Sequence, residues 1–565
     1  MGGTFSLSPA AVAAFVLFIG TLIFVHELGH FVAAKFFGIK VLKFSLGFGQ
    51  PLFKFTKGET IYQVAWLPIG GFVKMLGDQP GEEVSPHERH RSFDSVPVHQ
   101  RALVALAGPI FNLVFPVICF FAYDLLGPTV VSPVVGQIEA GAPAEAAGFE
   151  PGDRIVAVDG NRVWDFDRLV TLVSSRAGEV TKFVVDRDGE KRTLEVQPRA
   201  VQEEDIFGGV ETRGKIGIAP PRLGTRVGVD QPKGRELGFR TGDQILKLAD
   251  QRPADLGTLA SEIRRHRGQT VRVSLVRPHP TRSGGLLLAQ SEEPVDLEIT
   301  IPGDATGLES LGLAPSDTFV RALEPEGAAF RAGLRAGDRV LAVDGRAMTM
   351  SYSVLMALSE AKAEPVKVLV RRDGRDFALT IEAKKVDVEN QVTGKSQAYY
   401  DSGLGLGEVP RSQRSIFWQA GGRVRTEIVE LSIGEAMGEA VRQTGAVIVS
   451  IVESVYRLLS LQISAKNVGG PLMLFQVAAQ AAEMGILTYL QWLALISVNL
   501  GVVNLLPIPI FDGGHLLFCL IEAIKRRPVS PRTRELATLV GLAVIAMLII
   551  LVFVNDVTRL QSALE

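Results

Sequence analysis

Near the start of the chain, His26-Glu27-Leu28-Gly29-His30 sets two imidazoles four residues apart. On a helix that spacing puts both on one face, where they can hold one metal ion. Glu27 beside them is placed to take a proton from water, so the chemistry implied is metal-assisted hydrolysis. The chain holds only eight histidines in 565 residues, which makes a chance match improbable. A catalytic zinc needs three protein ligands and one open position. The third ligand expected is Asp512, far downstream in Phe511-Asp512-Gly513-Gly514-His515. His515 competes for that role, and the plain alternative for Asp512 is an N-cap of the helix that follows. An uncompensated carboxylate in an apolar segment is costly, which favours the ligand reading.

The elements that must position these residues are apolar. Residues 10–25 carry no charge and 31–34 continue the pattern, long enough to cross a bilayer. The first residues lack a basic stretch, and no small-residue cleavage site precedes the histidines, so a retained span is expected rather than a signal peptide. A second span is expected over 102–126, interrupted by Gly108, Pro109 and Asn112. Asn112 reads there as a packing residue. A third apolar stretch, 487–524, is broken by Pro507, Pro509, Gly513 and Gly514. Irregular backbone at membrane depth is tolerated only where it lines a cavity or lies within protein. The last span is expected over 536–554. Basic residues in 35–101 and in 525–534 put both regions on the cytoplasmic side, and the middle of the chain on the periplasmic side.

Charge is dense in that middle region and sparse at both ends, while the net charge of −2 points away from nucleic acid. Cys119 and Cys519 lie in apolar segments, so no disulfide framework is indicated. Alternation in 52–55 and 62–67 around Lys57-Gly58-Glu59 predicts a hairpin just after the metal helix, a possible edge for an extended peptide. The histidines at 87, 90 and 99 read as solvated. From 128 to about 410 a pattern repeats at Ala147–Ile155, Leu237–Ile245 and Ala332–Val340, each with Gly-Asp at its core. The first and third continue to Val-Asp-Gly; the second has Lys247-Leu248-Ala249-Asp250 instead, and its insert at 278–294 reads as a loop. The repeats resemble PDZ domains of the bacterial protease-associated kind, which bind extended segments by strand addition. Between 415 and 461 an amphipathic helix along the membrane surface is expected.

The fold class expected is therefore a multi-domain α+β membrane protein: a four-span α-helical metalloprotease core with inserted β-rich PDZ-like domains. Its parts are a membrane half at 1–127, PDZ-like units at 128–204, 205–304 and 305–388, a linker with interfacial helices at 389–470, and a second membrane half at 471–565. Taken together, His-Glu-Leu-Gly-His, Phe44-Ser45-Leu46-Gly47-Phe48-Gly49, Ala107-Gly108-Pro109-Ile110-Phe111-Asn112, Gly469-Gly470-Pro471, the stretch from Ser497 to His515 and the tail from Asn555 resemble the site-2 protease family, in the regulator of sigma-E protease branch. Three PDZ-like units depart from that branch's usual pair. The resemblance implies Zn2+ held by His26, His30 and Asp512, Glu27 as general base, and Asn499 and Asn504 holding substrate backbone or an oxyanion. It implies an intramembrane endopeptidase of the bacterial inner membrane, with its active site toward the cytoplasm. Its partners would be the bilayer and single-span membrane proteins, either anti-sigma factors or signal-peptide remnants. A non-catalytic peptide-binding scaffold has no use for such a triad, and a metal transporter would spread polar groups over several depths.

Overall fold

The computed structural model describes residues 8–78, 82, 84–187, 189–204, 210–283, 286–323, 327–361, 364–389, 396–401, 423–460, 462, 469–527 and 529–564. Contacts divide the chain into two compact units. Met1–Pro128 with Val429–Glu565 form one, and Thr129–Asn390 with Gly394–Ile428 form the other.

The main helices of the first unit are α1 (Pro9–Phe36), α2 (Val98–Leu125), α3 (Ile433–Leu459), α4 (Pro471–Glu483), α5 (Ile486–Asn504), α6 (Asp512–Lys525) and α7 (Pro531–Leu564). Among the described residues, four are long and apolar enough to cross a membrane, within α1, α2, α5 and α7. Ser8 starts α1 by accepting a hydrogen bond from the Ala11 amide, and Pro9 fills the first helical position, where no amide is needed. Lipid gives helices no hydrophobic reason to associate, so close approach of small residues does the work. Gly29 is one such residue. A Cβ there would lie 2.3 Å from the Ala107 carbonyl oxygen, so backbone meets backbone where α1 crosses α2. Gly501 brings α5 onto α2 in the same way, against Leu113 and the Pro109 carbonyl. Phe18, Leu22, Cys119, Leu493 and Ala494 fill the space between these helices.

The expected hairpin is present and longer than its alternation suggests. Strand β1 (Val41–Lys57) pairs antiparallel with β2 (Thr60–Met75). The strands curl, so that 43–46 pairs on one side with 61–64 and on the other with 71–74. The outer edge of 71–74 has no strand partner among the described residues.

Two expectations about the rest change. The helix expected from residue 415 begins only at Ile433; residues 402–422 lie outside the described set, and Arg423–Val424 and Thr426–Ile428 are short strands. Val424 and Ile428 are four apart, a spacing that puts both on one face of a strand as well as of a helix. The true start carries its own signal, a capping box between Ser432 and Glu435. Helix α3 then packs against α2 and α5. The insert at 278–294 is no loop: Thr270–Ser283 and Leu286–Thr300 pair antiparallel along their length, with one register shift between Thr281 and Arg282.

Each repeat of the second unit builds the same local structure, a strand, a helix and a strand pair. The Gly-Asp carboxylate of each takes hydrogen bonds from an arginine 34 residues on: Asp153 from Arg187 at 2.7 Å, Asp243 from Arg277 at 2.9 Å and Asp338 from Arg372 at 2.6 Å. The same arginines donate at 2.8 Å to the carbonyls of Gly148, Gly238 and Gly333. Pairing also crosses the expected domain limits, because 218–219 joins 137–138 and 313–315 joins 227–229. A strand that completes one repeat thus arrives after its sequence motif has ended.

Candidate metal centre

His26 and His30 project from one face of α1, as the four-residue spacing requires. Asp512 opens α6, directly after the Pro507–Pro509 break. The two glycines after it are forced. A Cβ on Gly513 would lie 2.2 Å from the Leu506 carbonyl oxygen, and one on Gly514 2.3 Å from that of Ile508. The break folds tightly back on the helix start and so presents the carboxylate.

His26 Nε2 lies 3.1 Å from Asp512 Oδ2, His30 Nε2 lies 3.3 Å from Oδ1, and the two Nε2 atoms are 3.3 Å apart. A tetrahedral zinc with bonds of about 2.0–2.1 Å sets its ligands roughly 3.3 Å apart. The three donors therefore suit that ion by type and by spacing. Among the described residues they are the one group of this kind. His515 is outside it and exposed, as are the histidines at 87, 90 and 99.

The groups behind the ligands also fit. His30 Nδ1 is 2.8 Å from the Val104 carbonyl, which accepts the Nδ1 proton and leaves Nε2 free to bind metal. Gly108 makes the room, since a Cβ there would be 2.4 Å from His30 Nε2. Asn112 is more than a packing residue. Its side-chain amide is 3.1 Å from His26 Nδ1, and the amide oxygen is otherwise buried without a partner. An Nε2-ligating histidine is protonated on Nδ1, so the amide orientation with its oxygen toward His26 satisfies both groups. Ser497 of α5 anchors this point by donating to the Asn112 carbonyl at 2.8 Å. The sequence placed Asn112 at depth but not on the face of α2 that meets a histidine.

Glu27 is buried, within electrostatic reach of both histidines and Asp512. It lies against β2, where a Cβ on Gly71 would come 3.0 Å from its Cγ. Asn504 approaches the face of His26 that meets Asp512, with Nδ2 3.4 Å from Nε2. Asn499 is exposed on the same helix and makes no hydrogen bond to the cluster among the described residues.

The pattern of Peptidase family M50 matches residues 14–548. The chain belongs to that family. As an M50 member it is an intramembrane zinc metallopeptidase, and its similarity to individual relatives extends over nearly its whole length. The regulator of sigma-E protease RseP of Escherichia coli (strain K12) is 29% identical over 553 residues, 97% of this chain and 98% of that protein. The regulator of sigma E protease of Salmonella typhi is 28% identical over 553 residues, with the same coverage. Protease RseP of Yersinia pestis is 27% identical over 555 residues, 97% of this chain and 99% of that protein.

Proposed function

We propose that this M50 peptidase holds zinc with His26, His30 and Asp512, and cleaves transmembrane segments of single-span membrane proteins of the regulated or signal-remnant kind. The observation that carries the reading is the 3.1–3.3 Å spacing of three donors drawn from opposite ends of the chain. Zinc supplies Lewis acidity that makes water a nucleophile near neutral pH. The chain's own residues do the rest. Glu27 takes the proton of the attacking water on its carboxylate and returns it to the leaving amine nitrogen. Val104 and Asn112 hold the two imidazoles in the Nε2-ligating tautomer. Asn504 donates from Nδ2 to the carbonyl oxygen as it gains charge, and Asn499 is open to contact the bound chain.

A helical substrate hides its carbonyls in its own hydrogen bonds, so it must unwind before attack. The edge of β2 at 71–74, beside Glu27 and without a strand partner among the described residues, offers replacement partners. This shifts the docking segment from 52–67, the stretch expected from the alternation, to the far end of the hairpin. The three PDZ-like units screen substrates on the periplasmic side, and the enzyme sits in the bacterial inner membrane with its cytoplasmic side basic. The first and third units contact each other directly, through Gln137 with Asp317 at 2.8 Å and Thr349 with the Ile138 carbonyl at 3.0 Å. The test is Glu27→Gln. Zinc content and thermal stability in detergent should match the wild type, while cleavage of a single-span reporter falls at least ~100-fold. Turnover near the wild-type level would sink the assignment.

A further inference from the structure

Helix α6 is joined to α5 by seven residues, 505–511, that contain the break, and Asp512 is its first residue. Something must fix the helix's direction, because a rocking α6 would swing the carboxylate away from the imidazoles. At its other end Glu522 accepts two hydrogen bonds from Arg101, Nη1 to Oε2 at 3.1 Å and Nη2 to Oε1 at 2.6 Å. Both side chains are mostly buried, at 13% and 15% exposure. Arg534, from the first turn of α7, approaches the same carboxylate at 3.7 Å and lies over the Phe518 ring.

Arg101 starts the face of α2 that serves the metal centre. Val104, Gly108 and Asn112 follow it at spacings of three, seven and eleven, all within about one turn-face of a helix. The same helix therefore grips α6 at two points, at Asp512 through the histidines packed on Gly108 and at Glu522 through Arg101. Along α6 these points are about 15 Å apart. A two-point hold over that length suppresses rocking where one hold would not. A bidentate guanidinium–carboxylate pair suits the purpose, since its planar fork fixes direction as well as distance.

The geometry points to Arg101 and Glu522 as positioning residues for the metal ligand Asp512: their ion pair sets the carboxylate for zinc from the far end of α6. Neither touches the reacting atoms. The inference rests on the proposed ligand set, so the experiment includes His26→Ala. Zinc affinity of the full-length protein in detergent is measured by competition with a chromophoric chelator, for the wild type, Arg101→Ala, Glu522→Ala, the double variant, Arg101→Lys and His26→Ala. Either single alanine variant should weaken zinc binding about 10-fold, and the double variant no further than the singles. Arg101→Lys, which keeps an ion pair without the fork, should recover part of the loss. With zinc saturating, kcat should fall while KM stays within about 2-fold. Wild-type affinity in both alanine variants, or losses that simply multiply in the double variant, would overturn the positioning role. If His26→Ala binds zinc like the wild type, the ligand assignment itself has failed.

Discussion

At the residue scale, the centre depends on glycine where most sites depend on polar groups. Gly29, Gly108, Gly513 and Gly514 each stand where a methyl group would strike backbone or a histidine ring of the cluster. Gly108 gives the sharpest case, because the atom it spares is His30 Nε2 itself. Gly108 precedes Pro109, whose ring disfavours a helical residue with a Cβ before it, so helicity is measured alongside zinc to separate a backbone effect from a displaced ring. The added methyl must push His30 from the cluster. We expect zinc affinity to fall more than ~100-fold, beyond the range of a lost outer hydrogen bond, with α2 still helical. Zinc content by mass spectrometry and helicity by circular dichroism check the two halves of the statement. A zinc-replete Gly108→Ala enzyme would show that the ring has room to move.

At the element scale, the second repeat carries a different residue at a backbone conformation that all three share. Asp159 and Asp344 have φ of 47° and 46°, in the left-handed region, and each carboxylate accepts a hydrogen bond from the backbone amide of Lys182 or Lys367, at 2.9 and 2.8 Å. Ala249 takes the same conformation, with φ 52°, and has no side chain to make the bond. Aspartate tolerates that region better than alanine and restores the missing acceptor. Ala249→Asp should therefore stabilise the second repeat by about 1 kcal/mol. The check is a raised midpoint for that repeat in urea, followed by limited proteolysis of the full chain. An unchanged midpoint would mean that the neighbouring lysine and leucine set the backbone here. The buried Arg–Asp pairs, in contrast, are the same in all three repeats, and explain why the middle one keeps its fold without Val-Asp-Gly.

Across the membrane unit as a whole, distant segments are held by single polar residues. Asp556, near the end of α7, accepts hydrogen bonds from the amides of Gly470 and Leu472 at 3.0 Å and of Met473 at 3.4 Å. It caps α4 from another helix, doing what a local N-cap side chain would do. Gly470 is required for this, as a Cβ there would be 2.4 Å from Asp556 Oδ2. This joins two motifs, Gly-Gly-Pro and the Asn-Asp tail, that share no chemistry in the sequence. Asp556→Ala should cost about 2 kcal/mol, read as a lower thermal midpoint in detergent. A cysteine pair engineered between α4 and α7 should cross-link more slowly in that variant, and an unaltered rate would argue that packing alone holds the helices.

What the residues alone determined is local. The two histidines share a face because a helix turns every 3.6 residues, the prolines break the third apolar stretch because they lack an amide, and the repeats announce themselves by pattern. Periodicity failed at 423–428, where a strand partner far along the chain decided the conformation, and at 278–294, where hairpin pairing extended what read as a loop. Tertiary structure decided which groups meet: Asp512 and not His515 at the imidazoles, Asn112 behind His26, and Asn504 beside a ring 478 residues away. The reason is physical. Spacing fixes a side chain's direction on its own helix, but the crossing of two helices depends on small residues such as Gly29 and Gly501, whose role shows only once the partner backbone is in contact.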